Sequence, residues 1–289
     1  MALKAEEYLR PDVIQQVQRL DLKARFIVEG FLSGLHASPF HGFSVEFSEH
    51  RKYTPGDDIR MIDWGVYAKT DRFYIKKFEA ETNLEAYLLM DCSGSMGYAG
   101  GNRMTKMDYA ICLGAALGYM MINQQDSVGL LTFDEKVRSF LPPKSKRSHL
   151  FNILSILSRT APAAETDLAL ALHDAADRIR KRGLVILLSD LLCENQDQII
   201  EGLHHIKYRG HDLIIFQVLD ESEVTFDFDG QVRFEEPETG EQLDADPQAI
   251  RAAYLREIEA FIDAYRRECQ AVRADFVTVH NGMTFDKAL

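Results

Sequence analysis

The chain is poor in cysteine, and its few thiols are not placed for shared chemistry. Cys92, Cys112, Cys193 and Cys269 lie far apart, with no C-x-x-C pair among them. A zinc knuckle or a redox pair is therefore unsupported, and free thiols fit a reducing compartment. No apolar stretch reaches about 18 residues, so no membrane span is expected. The first residues, Met1-Ala-Leu-Lys-Ala-Glu-Glu, lack the apolar core of a signal peptide, which leads to the expectation of a cytoplasmic protein. An excess of positive charge is also missing. The net charge is −12, which argues against bulk attraction to nucleic acid or to an acidic membrane. There is no G-x-x-x-x-G-K followed by Ser or Thr, and no G-x-G-x-x-G after an apolar run, so no nucleotide loop is expected. Without a G-x-S-x-G elbow, the serines singled out below are poor hydrolase nucleophiles.

The 289 residues suffice for one large domain, or for a domain with an appendage. Short apolar runs alternate with helical patterns from about residue 84 onward. Strands are expected at Leu84–Met90, Val128–Phe133, Lys136–Leu141, Leu184–Ser189, Asp212–Leu219 and Asp275–Val279. Helices are expected at Lys106–Asn123, His149–Ser158, Leu168–Arg180, Gln196–Tyr208 and Ala249–Arg273. Near-continuous apolar strands alternating with helices predict an α/β fold, a mostly parallel sheet covered on both faces. A hairpin is expected over Val224–Glu236, turning at Asp229-Gly230. The front of the chain differs in texture. A weak helical pattern spans 12–29, irregular loops follow over 30–60, and Ile59–Lys69 and Arg72–Glu79 read as two strands around Thr70-Asp71. We divide the chain into an N-terminal extension, 1–82, and an α/β domain, 83–289, with the hairpin near 224–236 inserted in it.

One set of polar residues stands at the edges of these elements. Asp91 ends the first apolar run, and Ser93 and Ser95 follow at alternate positions, Asp91-Cys-Ser93-Gly-Ser95. Thr166 precedes a helical pattern, and Ser189-Asp190 ends the run that starts at Leu184. Ligands of open α/β sheets bind at the carboxyl ends of strands, where Asp91 and Asp190 both fall. Three hydroxyls and two carboxylates suit a hard divalent cation that keeps some of its waters. Singly, each piece has a plainer reading: Ser93 and Ser95 as turn or cap hydroxyls, Thr166 as a helix cap, Asp190 as the start of a turn.

Asp91-x-Ser93-x-Ser95, Thr166 and Asp190 together resemble the metal-ion-dependent adhesion site of von Willebrand factor A domains. The segment Glu46-Phe-Ser-Glu-His50-Arg51-Lys-Tyr-Thr-Pro55-Gly56-Asp57-Asp58-Ile59-Arg60-Met-Ile62-Asp63-Trp64 resembles the bacterial domain-of-unknown-function-58 family. These resemblances imply a von Willebrand factor A-like fold over about residues 84–280. They imply a site for Mg²⁺, or Mn²⁺ or Ca²⁺, held by Asp91, Ser93, Ser95, Thr166 and Asp190. They also imply pairing with a MoxR-type AAA+ ATPase or one of its clients. The lead-in to Thr166 is Ala-Ala-Glu where the pattern usually has glycines, and Gly97–Asn102 lengthens the loop after Ser95.

The functional expectation is a non-enzymatic interaction module, in which a partner Asp or Glu completes the coordination of the ion. The alternative is a Mg²⁺-dependent phosphohydrolase with Asp91 as nucleophile, although position 93, where such enzymes want a second Asp, is Ser. Other groups are read more plainly. His36, His41 and His50, and His204, His205 and His211, are loop or helix-end residues in preference to ligands. Arg51, Arg60 and Asp63 form either a buried ion network or a partner surface. Trp64, the single tryptophan, is expected to be a packing anchor, and Asp134 a turn residue.

Overall fold

The computed structural model describes residues 44–54, 62–81, 84–101, 104–162, 167–193, 195–235 and 240–288. They belong to two compact units that part at Asn83/Leu84. The helix expected over 12–29 and most of the loops over 30–60 lie outside the described residues.

In the smaller unit, β1 (Ser44–Lys52) pairs antiparallel with β2 (Tyr74–Glu81), with an irregularity between Phe47 and Glu49. Between them, α1 (Trp64–Thr70) stands where a strand was expected. Trp, Val and Tyr in Trp64–Thr70 favour strands intrinsically, but the local cap chemistry decides otherwise. The Asp63 carboxylate accepts from the amides of Gly65 and Val66 at 2.9 and 3.1 Å. Asp71 ends the helix in the left-handed region, with φ 54°. Tyr67 then stacks on Phe73 with centroids 4.5 Å apart. Trp64, expected as a packing anchor, meets Tyr67 and Phe73 edge-on but remains 57% exposed.

The larger unit is built on a six-stranded sheet. Its strands and helices run in order β3 (Glu85–Asp91), α2 (Lys106–Asn123), β4 (Ser127–Phe133), β5 (Val137–Lys144), α3 (Arg147–Leu157), α4 (Leu168–Arg178), β6 (Leu184–Ser189), α5 (Gln196–Tyr208) and β7 (Asp212–Leu219). After them come α6 (Glu221–Thr225), β8 (Val232–Glu235), β9 (Gln242–Ala245), α7 (Pro247–Ala271), β10 (Asp275–His280) and α8 (Phe285–Ala288). The strand order is β10-β7-β6-β3-β4-β5, all parallel except β5, which runs antiparallel to β4. This is the mostly parallel, helix-flanked sheet that the sequence implied. The chain leaves β3 toward β4 on one side and later returns to place β6 on the other, so the order reverses between β3 and β6.

The central strands β3, β4 and β6 are buried almost throughout, which accounts for their unbroken apolar runs. Successive side chains alternate between two helical layers. Tyr87, Leu89, Val185 and Leu187 join a core with residues of α4, α5 and α7. Leu88, Met90 and Leu188 face α2, where Gly114 and Gly118 let the helix approach. α2 is buried on most of its circumference, and α3 is tied to the sheet by His149 Nε2, which donates to the Val128 carbonyl at 2.8 Å.

The hairpin expected over 224–236 is displaced. A capping box, with the Asp220 side chain on the helix and Glu223 on the Asp220 amide, winds Glu221–Thr225 into α6. Phe226 stops it with φ 49°. The hairpin forms further on, where β8 pairs antiparallel with β9.

Gly183 enters β6 against the neighbouring strand, and a Cβ there would lie 2.1 Å from the Glu85 carbonyl oxygen. At Gly118, by contrast, a Cβ would make ordinary contacts of 3.6 Å with Leu88 and 3.8 Å with Leu150. We therefore expect Gly183→Ala to lower unfolding stability by about 1–3 kcal/mol. Gly118→Ala should be neutral, or raise it by up to about 1 kcal/mol through helix propensity. Chemical denaturation of the two variants checks the contrast, and equal effects would contradict the packing described here.

Candidate metal-binding site

The strand order places the carboxyl ends of β3 and β6 side by side, at the position where open α/β sheets bind ligands. Met90 is level with Leu188 in the β3–β6 register, so Asp91 meets Ser189 as both strands end. Ser189 Oγ donates to Asp91 Oδ2 at 2.5 Å, and the Ser93 amide donates to Asp91 Oδ1 at 2.8 Å. Asp91 is therefore fixed from both strands.

The loop after β3 is folded tightly beneath this carboxylate. The Cys92 amide donates to the Phe133 carbonyl, carrying the pairing one step past the strand. Residues Ser95–Gly97 then form a single 3-10 turn, anchored by the fully buried Met96. This turn brings Ser93 Oγ and Ser95 Oγ into a hydrogen bond with each other at 3.0 Å. Adjacent ligands of an octahedral ion with bonds of about 2.1 Å lie about 3 Å apart, so the two hydroxyls are spaced as neighbouring donors to one small cation.

Asp190 is held as firmly. Its Oδ1 accepts from the Leu192 amide at 3.1 Å, and its backbone carbonyl accepts from Gln217 Nε2 at 3.4 Å. Leu191 is fully buried with φ 60°, a left-handed conformation that an ordinary residue adopts only when its surroundings impose it. Ser189 Oγ accepts the Leu191 amide at 2.9 Å, and Tyr265 donates its hydroxyl to the Leu191 carbonyl at 3.3 Å. Asp91, Ser93, Ser95 and Asp190 are thus brought to one edge, and all four are buried. Thr166 lies outside the described residues. Its neighbour Asp167 caps α4, accepting from the Leu170 amide at 2.8 Å.

Burial pushes the Asp91 carboxyl up to about 7, and the charge of Asp190 adds to the rise. Hydrogen bonds from Ser189 and Ser93 oppose it without cancelling it. A buried carboxylate short of positive charge, beside two hydroxyls at octahedral spacing, fits a hard divalent cation. Among the described residues no group of three or more His, Cys, Asp or Glu is gathered that could hold a metal ion. The set at this edge is a different donor chemistry, carboxylates with hydroxyls.

Three participants escaped the sequence reading. Lys106, the first residue of α2, is fully buried and pairs with Asp190 Oδ2 and Glu223 Oε1, both at 2.8 Å. Nothing in its sequence context marks it, because a lysine at a helix N-terminus is ordinarily a solvated residue. Glu223 belongs to the capping box on Asp220, and that Asp-x-x-Glu spacing was legible. Ser189 carries no signal of its own beyond ending the apolar run that starts at Leu184. The long loop after Ser95 is tied down at Gly100, whose amide donates to Asp220 Oδ2 at 2.9 Å. Asn281 bridges Asp220 and the Met104 carbonyl. These hydrogen bonds outweigh burial and hold the Asp220 carboxyl below its ordinary value.

The remaining candidates are elsewhere or outside view. Asp134 accepts the Lys136 amide and pairs with Arg138, a turn role as expected. His205 meets His173 between α4 and α5, His204 faces Glu268, and His211 is buried. Asp63 caps α1. The side chains of His36, His41, His50, Arg51 and Arg60 lie outside the described residues. The described cysteines are free. No described helix is long and apolar enough to cross a membrane.

The sequence matches a family described as "Protein of unknown function DUF58" over residues 49–261. Its relatives include the uncharacterized proteins Rv1480 of Mycobacterium tuberculosis and Mb1516 of Mycobacterium bovis. Each is 28% identical over 252 residues, covering 85% of this chain and 78% of the relative. Solved structures similar to it include the hypothetical protein BatB of Bacteroides thetaiotaomicron, at 15% identity, TM-score 0.43, covering 71% of this chain and 94% of that one. A von Willebrand factor type A protein of Catenulispora acidiphila matches at 16% identity and TM-score 0.35, covering 50% of this chain and 34% of that one.

The raised Asp91 carboxyl has a consequence for stability. Its folded value, about 7, exceeds the unfolded value of about 3.9, so the folded state binds the extra proton between them. In chelator-treated protein this group's contribution is most favourable below about pH 4 and is lost as pH rises through 7. Burial also raises Asp126, at the amino end of β4, to about 7, so the measurement belongs in an Asp126→Asn background. There we expect Asp91→Asn to gain stability relative to its Asp91 parent as pH rises from about 4 to about 7, because it lacks the group whose contribution is lost over that range. An unchanged pH slope in Asp91→Asn would contradict the assignment.

Proposed function

The chain belongs to the DUF58 family, and we propose that it is a non-enzymatic protein-interaction module whose contact depends on a divalent cation. The observation that carries this reading is the buried Asp91 carboxylate beside Ser93 and Ser95, whose hydroxyl oxygens are 3.0 Å apart. Asp91, Ser93 and Ser95 would hold Mg²⁺, with Mn²⁺ or Ca²⁺ as substitutes. Thr166 would add a hydroxyl, and Asp190, whose charge is already offset by the Lys106 ammonium, would act through water. When bound, such an ion supplies an electrophilic centre for an Asp or Glu presented from outside. Few charges among the donors leave that appetite unsatisfied.

The partner in this proposal is a MoxR-type AAA+ ATPase or a client delivered to it. That part rests on the family resemblance of the Glu46–Trp64 segment and of the site residues. The protein would serve as an adaptor or co-chaperone in the cytoplasm. The phosphohydrolase reading is less well supported. Ser93 stands where such an enzyme needs an acid–base Asp.

Calorimetric titration of Mg²⁺ into the chelator-treated chain tests the site. We expect the wild type to bind and Asp91→Ala to show no measurable binding while keeping its circular dichroism spectrum. A MoxR-type ATPase should be captured by the wild type with Mg²⁺, and lost on adding chelator or in Asp91→Ala. Capture by a folded Asp91→Ala variant would overturn the metal-bridged contact.

A further inference from the structure

The site contains a cation of its own. Lys106 is fully buried, and its ammonium lies 2.8 Å from Asp190 Oδ2 and 2.8 Å from Glu223 Oε1. The Tyr98 ring covers it, with the ammonium 6.0 Å from the ring centroid. Burial alone would lower the Lys106 ammonium, but the charges of Asp190 and Glu223 outweigh it and hold the group protonated. The placement is electrostatically costly in one further respect. Lys106 is the first residue of α2, at the positive end of the helix dipole, where a cation is disfavoured. Its Thr105 neighbour supplies the cap, accepting from the Asp108 amide at 2.9 Å, so the helix has no need of lysine there. What the lysine does touch is the carboxylate of the candidate site.

We propose that Lys106 is a built-in counter-cation that keeps Asp190 back from the ion and so sets how weakly the site holds a divalent metal. This inference rests on the metal-binding reading and deepens it. Asp190 Oδ2 is committed to the ammonium and Oδ1 to the Leu192 amide. The single positive charge of Lys106 stands between two carboxylates, while Asp91 accepts only from Ser93 and Ser189 among the bonds described for its oxygens. Lys106 therefore divides the buried carboxylates into one set neutralised internally and one, Asp91, left for the ion. Glu223 tunes the division. By drawing on the same ammonium, it leaves Asp190 less neutralised than a simple pair would. Because Glu223 sits in α6, through the capping box with Asp220, the charge balance at the ion is linked to the segment that follows β7.

Opposite shifts in Mg²⁺ affinity separate this role from simple packing. Lys106→Met keeps an unbranched side chain, one atom shorter, and removes its charge. Calorimetry on the full, chelator-treated chain should show Mg²⁺ binding about tenfold tighter or more, because the repelling charge paired with Asp190 is gone. Glu223→Gln should weaken binding, by about threefold to tenfold, because Lys106 is then less neutralised. A purely structural lysine predicts that both variants bind alike or that both lose affinity, and either result overturns the proposal. If Lys106→Met folds under no condition, Lys106→Gln takes its place: tighter binding there with weaker binding by Glu223→Gln supports the proposal, and shifts of one sign or no shift overturn it. Wild-type binding with unshifted variants sinks this inference alone. No binding by any of the three chains sinks the metal reading along with it.

Discussion

Two carboxylates, Asp91 and Asp190, are buried next to each other at the ends of adjacent parallel strands. Taking one charged carboxylate out of water costs several kcal/mol, and a second beside it adds repulsion. A chain that does this must surround them with donors and positive charge, and much of the surrounding structure answers that need. The Ser93 amide and Ser189 hydroxyl serve Asp91. The Leu192 amide and Lys106 serve Asp190. The left-handed Leu191 aims its amide back at Ser189. The parallel register makes the encounter unavoidable, because the β3–β6 pairing fixes both strand ends at the same level.

A second ring of contacts holds this arrangement to the rest of the edge. Lys106 links Asp190 to Glu223, and Glu223 accepts the Asp220 amide. Asp220 accepts from Gly100 and Asn281, and Asn281 reaches the Met104 carbonyl. The loop after β3, the start of α2, the segment after β7 and the end of β10 are thereby joined in one polar network. These segments are far apart in sequence and meet only because their strands end along one sheet edge. Buried networks of this kind are costly when broken at any member, which favours a single well-defined geometry at the site.

The sheet was largely legible in the sequence. Strands buried on both sides read as unbroken apolar runs, and Leu184–Ser189 and Asp212–Leu219 coincide with the observed β6 and β7. The expected helices Lys106–Asn123 and Gln196–Tyr208 match equally. What misled was local chemistry overriding composition. Trp64–Thr70 carries strand-forming residues, yet Asp63 caps it into a helix. Val224 and Thr225 look like the start of a strand, yet the Asp220–Glu223 capping box has already begun a helix. At the site, Asp91, Ser93, Ser95 and Asp190 stood out because they interrupt apolar runs. Lys106 did not, since burial of a lysine depends on two carboxylates that arrive from residues 84 and 117 positions away. No local pattern records such a meeting.

The balance of charge then bears on how a module of this kind would work. On the proposed reading, Asp91 is the one carboxylate left for the ion, and hydroxyls complete most of what the chain offers. An ion so held is bound weakly by the protein alone and gains much from one further carboxylate. Affinities coupled in this way are reciprocal: whatever factor a partner's Asp or Glu adds to metal binding, the metal adds to partner binding. A stronger internal site, with Asp190 released from Lys106, would hold its ion better alone and gain less from the partner. A buried lysine at the positive end of a helix therefore makes physical sense in a contact that depends on both metal and partner, because it weakens the part of the site that needs no partner.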